Sequence, residues 1–251
     1  MILDEIISRT KIRVEKLPDT FPEPDGFCHA SLEAAIHSAE EKNPVIAEIK
    51  CASPSGGIIR RNVDIGMMAG VLADGGCVGI SVLTEPYFFG GSGADIALVK
   101  KAVRVPVLRK DFIIDLRQIP QTKALGADAI LLIAAVLKGR LPEFVDAVYA
   151  AGLEPLVEVH TATEVDCALA TQAQMIGINN RDLSTMTIDR STTRKLSGKV
   201  RGAGRLIVSE SGMRSADDVR EMRPYCDAFL IGSTLMAHAE PGKKLEEFVC
   251  A

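Results

Sequence analysis

The sequence contains no tryptophan, and aromatic residues make up only 4% of it. Single-stranded nucleic acids bind to aromatic stacking platforms lining a basic groove. A formal net charge of −4 removes the basic half of that device as well. A nucleic-acid partner is therefore not expected. Paired cysteines are also missing. Cys28, Cys51, Cys77, Cys167, Cys226 and Cys250 are scattered without a CxxC, and they read as reduced thiols of a cytoplasmic protein. The four histidines are dispersed too, so neither a zinc site nor any other metal centre is expected. No apolar run approaches the ~20 residues that span a bilayer. The first sixteen residues alternate Ile2, Leu3, Ile6 and Ile7 with Asp4, Glu5, Arg9 and Lys11, as an amphipathic helix does and a signal peptide does not. Low-complexity stretches and Ser/Gly linkers are absent, and no GxGxxG follows the first apolar run.

What is present is a repeat of form. Eight short β-branched or apolar runs recur, at 45–50, 77–84, 105–110, 129–134, 153–159, 175–180, 206–211 and 228–233. Helix-like stretches lie between them, at 65–74, 95–102, 116–125, 141–151, 164–171, 192–196 and 216–222, with Pro106, Gly126 and Gly152 among the punctuating residues. Strict alternation of strand and helix implies parallel strands joined by right-handed crossovers. Eight such units within 251 residues predict an α/β fold, a single (β/α)8 TIM barrel over 45–251 with an N-terminal helical extension over 1–40. One domain, 1–251, is expected.

Almost every predicted strand ends in a polar residue. In a barrel all C-terminal strand ends open on one face, which gathers Glu48, Lys50, Glu85, Lys110, Glu158, Asn179, Arg181, Glu210 and Ser211 around one mouth. Alternation puts Glu48 and Lys50 on one face of the first strand. They fit either an ion pair closing the barrel or an acid/base pair. The turn after them, Ser53-Pro54-Ser55-Gly56-Gly57, suits an anion or is an ordinary turn. Leu108 and Lys110 share a face, so Lys110 points inward if Leu108 fills the barrel. A desolvated lysine there has a depressed pKa and donates protons near neutrality. Arg109 faces outward and fits the bland role of a surface residue. Glu158 projects from the opposite wall, and His160 beyond it reads as a bystander or loop cap. Asn179 and Arg181 offer an amide and a planar cation suited to a carboxylate, while Asn180 and Asp182 face away as structural residues. Gly212, Gly232 and Ser233, in the last two strand-to-helix loops, form the expected phosphate cradle.

The ordered set AEIKxxSPS, LTEPxFFGGS, LRKDFIID, GADAILLI, LEPLVEVHT, IGINNRDL, SESG and AFLIGS, spanning 47–233, resembles the indole-3-glycerol phosphate synthase family of tryptophan biosynthesis. The resemblance implies a lyase, free of cofactor and metal, that converts 1-(2-carboxyphenylamino)-1-deoxyribulose 5-phosphate to indoleglycerol phosphate, CO2 and water. By that resemblance Lys110 is the general acid on the ribulose carbonyl and Glu158 the carboxylate that takes or relays a proton. The Lys50–Glu48 pair supports ring closure or dehydration. Ser53, Asn179 and Arg181 surround the anthranilate moiety, Glu210 and Ser211 are polar site residues, and Gly212, Gly232 and Ser233 hold phosphate with Lys50 nearby. Phe112, Leu131, Leu183 and Leu230 form apolar walls. Cys51 and Gly56 stand where many members carry basic residues, so the first loop is less charged here. The implied partner is a small anionic substrate, without nucleic acid or membrane, and transient association with other tryptophan-pathway enzymes is compatible with it. Two other readings compete: another phosphate-binding barrel enzyme, such as a phosphoribosylanthranilate isomerase, and a non-catalytic sugar-phosphate-binding barrel.

Overall fold

Short runs rich in β-branched and apolar residues extend readily, and in the computed structural model of the chain eight of them do so in parallel. The structure describes residues 2–22, 29–39, 42–182 and 185–251. The barrel strands are β1 (Val45–Ile49), β2 (Gly79–Leu83), β3 (Val107–Lys110), β4 (Ala129–Ile133), β5 (Glu154–Val159), β6 (Met175–Asn179), β7 (Leu206–Glu210) and β8 (Ala228–Ile231). Each pairs with its neighbour in sequence, and β8 returns to β1 through Val45–Phe229, Ile46–Leu230 and Ala47–Ile231, which closes the sheet.

The helices are α1 (Ile2–Val14), α2 (Leu32–His37), α3 (Ile65–Asp74), α4 (Ala94–Ala102), α5 (Gln118–Ala124), α6 (Ala134–Leu137), α7 (Leu141–Ala150), α8 (Ala162–Leu169), α9 (Ser191–Gly202), α10 (Ala216–Met222), α11 (Ser233–Ala237) and α12 (Pro241–Val249). Side-chain alternation divides the apolar residues in two. Ile80, Val82, Ile130, Val157 and Ile178 pack outward against the helices. Ile46, Leu108, Leu131, Leu156, Val208 and Leu230 fill the interior.

The N-terminal extension serves both ends of this barrel. At the N-terminal mouth α2 forms a plug: Leu32 is fully buried, and a Cβ on Gly79 would lie 2.7 Å from its Cδ1. At the other mouth Arg13 of α1 grips Asp111 with two hydrogen bonds, at 2.6 and 3.0 Å.

Three features differ from the sequence reading. The loop after β1 forms a small antiparallel hairpin, Ala52–Ser53 with Gly57–Ile58. Helix α6 follows β4 without a turn residue, so the continuous apolar run hid the boundary. Arg109 does face outward, but it is a buried residue, 3% exposed, and not a surface one. Its guanidinium donates to Thr84, Gln118, Thr122 and Asp111. A cation sealed beneath helices must satisfy its donors there, and this one braces Asp111 for Arg13.

Candidate active site

A cavity of about 260 Å³ opens where the C-terminal strand ends converge. It is lined by Glu48 of β1 and Lys50 just beyond it, Lys110 of β3 and Phe112 just beyond it, Leu131 of β4 and Glu158 of β5. The loop residue Ser53, Asn179 and Arg181 from β6, and Glu210, Ser211 and Gly212 from β7 join them, as do Leu230, Gly232 and Ser233 from β8. Leu183 lies outside the described residues. Glu85, also expected at this mouth, turns away from it: its buried carboxylate accepts hydrogen bonds from the Tyr87, Phe88 and Phe89 backbone N–H groups and fixes the loop after β2.

The carboxylates at the centre of the cavity are paired, but they outnumber the ammonium groups that pair them. Lys110 Nζ lies 3.2 Å from Glu158 and 2.9 Å from Glu210, and Lys50 Nζ lies 2.8 Å from Glu48. Three buried carboxylates thus share two ammonium groups. Burial by itself depresses the Lys110 ammonium. Glu210, Glu158 and Glu48 outweigh burial and hold its pKa above the ordinary lysine range. This reverses the expectation of a depressed lysine, because alternation could not reveal how many acids would meet it.

The surplus falls on one carboxylate. Burial, with Glu158 and Glu48 nearby, pushes Glu210 up to about 7 against the pull of Lys110. Glu158 is equally buried, but Lys110 and His160 overcome the burial cost and hold it below the usual carboxylate range. Two carboxyl groups whose protonation is driven apart in this way can serve as acid and base. Glu48 Oε2 and Glu210 Oε1 are buried without a hydrogen-bond partner, and buried polar atoms of that kind are rare in a structural core.

The backbone makes room for these acids. A Cβ on Gly232 would collide with Glu48 Oε1, and one on Gly177 would collide with Glu210 Oε1. The need for glycine at 232 therefore comes first from Glu48, not from a phosphate as the loop pattern had implied. Ser211 and Gly212 both adopt left-handed conformations, φ 65° and 95°. A serine held there marks local strain of the kind found at functional sites. Asn180 is structural as expected: its amide donates to Ser209, Glu210 and Ser211, and its oxygen accepts from Thr193, which ties β6, β7 and α9 together. Arg181 donates to Ser55 Oγ and the Met186 carbonyl, reaching across to the β1 loop.

Several lining residues were not anticipated. Ile2, Leu3 and Ile6 of α1 supply apolar wall, and Arg214 stands at the rim beside Gly212 and Ser233. The amphipathic start of the chain was visible, but not which mouth it would cover. His160 is more than a bystander, since its Nε2 lies 3.3 Å from Glu158 Oε1. Cys51 does not line the cavity, and burial raises its thiol; the acid/base chemistry of the isomerase reading has no thiol here. Among the described residues, no group of three His, Cys, Asp or Glu side chains is arranged to hold a metal ion.

The indole-3-glycerol phosphate synthase family model matches residues 3–248. The chain belongs to this family. An indole-3-glycerol phosphate synthase of Methanocaldococcus jannaschii is 39% identical over 99% of this chain and 98% of its own length. Those of Carboxydothermus hydrogenoformans and Pyrococcus furiosus are 44% and 42% identical, covering 86% and 87% of this chain and 83% and 96% of their own. The chain is thus a lyase of tryptophan biosynthesis, performing decarboxylative ring closure on a small-molecule substrate. Among solved structures, a Mycobacterium tuberculosis tryptophan synthase chain aligns over 89% of this chain and 98% of its own with a TM-score of 0.66. A Streptococcus mutans KGPDC aligns over 82% and 95% with a TM-score of 0.63. At 14% and 12% identity these two share the barrel fold alone. Among the described residues no helix is long and apolar enough to cross a membrane.

Proposed function

We propose that Lys110, Glu158 and Glu210 carry the proton transfers of the family reaction on 1-(2-carboxyphenylamino)-1-deoxyribulose 5-phosphate. The observation behind this reading is the placement of one ammonium group between two carboxyl groups of opposed protonation, 3.2 and 2.9 Å away, inside a cavity with cations at its ends. Arg181 with Asn179 receives the ring carboxylate. Gly212, Gly232 and Ser233, with Lys50 and Arg214 near them, receive the phosphate. Held at both ends, the substrate folds so that the ring carbon bearing the carboxylate meets the ribulose carbonyl carbon. Such positioning contributes up to about 7–11 kcal/mol in favourable cases.

The chemistry then follows from proton count. Lys110 donates a proton as the ring carbon attacks, and the carbonyl oxygen becomes a hydroxyl. The carbon–carboxylate bond breaks, CO2 leaves, and its electron pair restores the aromatic ring. Dehydration requires a second proton to carry off the hydroxyl and a base to remove the adjacent C–H proton. Glu210, pushed up to about 7, supplies a proton to this sequence near neutrality, and Glu158, held ionised, accepts one. The Lys50–Glu48 pair assists dehydration. Two protons enter and one leaves, so each turnover takes one proton from solvent.

Phe112, Leu131 and Leu230 exclude water from the ring. Free cysteines, dispersed among the described residues, support a reducing compartment such as the cytoplasm. Contact with other tryptophan-pathway enzymes is transient in this reading. The deciding experiment incubates the protein with the carboxyphenylamino substrate and follows indole absorbance together with released CO2. Folded protein that yields neither would leave only a sugar-phosphate-binding barrel.

A further inference from the structure

The strand β5 delivers Glu158 to the cavity and then runs directly into the start of α8. Thr161 caps that helix by accepting from the Glu164 N–H, and Glu164 Oε1 accepts in return from the Thr161 hydroxyl at 3.1 Å. The spacing Thr-x-x-Glu is a capping-box pattern, but the carboxylate reaches past the cap residue. Glu164 Oε2 accepts from the His160 backbone N–H at 2.8 Å and sits 3.2 Å from His160 Nδ1. The opposite ring nitrogen, Nε2, is buried and lies 3.3 Å from Glu158 Oε1 without an aligned hydrogen bond. A line of alternating charge therefore runs from α8 to the cavity: Glu164, His160, Glu158, Lys110.

We infer that His160 is a positioning residue for the reaction, which Glu164 holds in place and which in turn fixes Glu158 in its ionised form against Lys110. The inference rests on the proposed role of Glu158 as proton acceptor. Helix capping by itself explains Thr161 and Glu164 but gives no reason for an imidazole 12% exposed with a carboxylate at each nitrogen. Burial by itself would lower the imidazole, yet Glu158 and Glu164 raise its pKa to about 10, so it remains an imidazolium through the neutral range. A cation at that position lowers the cost of keeping Glu158 ionised.

The other charges nearby do not substitute for it. Lys110 is shared with Glu210. Helix α6, which packs on α8, carries no ionisable side chain in Ala134–Leu137. On α9, Lys199 is engaged by Asp166 on the outer surface.

The test compares His160→Gln, Glu164→Gln and His160→Lys with wild type in two measurements. One is the pH profile of kcat/KM. The other is the carboxyl titration of Glu158 followed by carbon NMR without substrate. In His160→Gln the acid limb and the Glu158 titration both move to higher pH by about one unit or more, so activity is lost at the acid end of the profile, by up to about tenfold below the wild-type limb, and is unchanged near pH 8. Glu164→Gln gives a smaller shift in the same direction, and His160→Lys restores much of it. If His160→Gln fails to fold, Glu164→Gln carries the test by itself. A uniform loss of activity at every pH with the Glu158 titration unmoved means that His160 only stabilises the start of α8, and overturns the inference. Because the titration needs no turnover, a shifted Glu158 in a protein that does not act on the substrate would refute the activity assigned above and leave this electrostatic role standing.

Discussion

The two mouths of the barrel both bury acidic side chains, and they treat them in opposite ways. At the N-terminal mouth Asp128 receives Lys100 on both oxygens and the Ala30 and Val107 N–H groups as well. Glu154 receives the Ser31 hydroxyl and the Leu32 and Glu33 N–H groups at the first turn of α2. Each oxygen there has a partner from the protein itself. At the C-terminal mouth Glu48, Glu158 and Glu210 share two lysines, and two of their oxygens have no hydrogen-bond partner. Asp128 and Glu210 are equally buried, each 1% exposed, yet that burial means different things. Satisfied acids stabilise a closure, whereas under-satisfied ones hold unfavourable charge ready for a ligand and for proton transfer.

The sharpest way to break this contrast is Lys110→Met. It is expected to lower kcat by about 10³-fold or more, in line with the loss of a positioned proton donor, while substrate still binds in an equilibrium assay. Near-normal turnover would remove Lys110 from the chemistry and with it the functional reading of the upper mouth. At the lower mouth Glu154→Ala strands the Leu32 and Glu33 N–H groups. It should cost about 2–4 kcal/mol in denaturant unfolding and leave kcat/KM of the folded enzyme within about twofold. A large kinetic effect from Glu154→Ala would show that the two ends are not separable.

Glu210 sharpens the comparison through pH. Its folded pKa, about 7, lies above the ordinary 4.5, so the protonated form is the one the fold favours. Its contribution to stability is fully present below about pH 4.5 and is lost as pH rises through about 7. Unfolding measured against Glu210→Gln should trace that window, and the activity limb near pH 7 should vanish in the same variant. The smallest expected effect belongs to Arg214→Ala, an exposed rim cation. We expect KM to rise about three- to tenfold, less at high salt, with kcat unchanged; an unchanged KM at low salt would exclude Arg214 from holding the phosphate.

Much of this was legible beforehand because it follows from period. Alternation put Glu48 and Lys50 on one face of β1 and Glu158 on the opposite wall, and eight repeats implied closure. The same logic placed Lys110 inward and Asn180 outward. It failed where partners come from afar. Arg109 read as a surface residue because nothing local announces Thr84, Gln118 and Thr122 folding over it. Leu183 lies outside the described residues, so its place in the wall rests on resemblance alone.

The sequence by itself determined the periodicity, and hence the strands, their inward faces and the ring of polar strand ends, since these are set by the two-residue repeat of an extended backbone. Only the tertiary structure decided which acids would be satisfied. Glu154 and Glu158 lie on one face of one strand, and nothing within β5 distinguishes them. A helix start 122 residues upstream satisfies the first, while a lysine from β3, shared with Glu210, leaves the second in a cluster with more carboxylates than lysines. Protonation depends on the sum of charges within a few ångströms, and that sum exists only once the chain has closed.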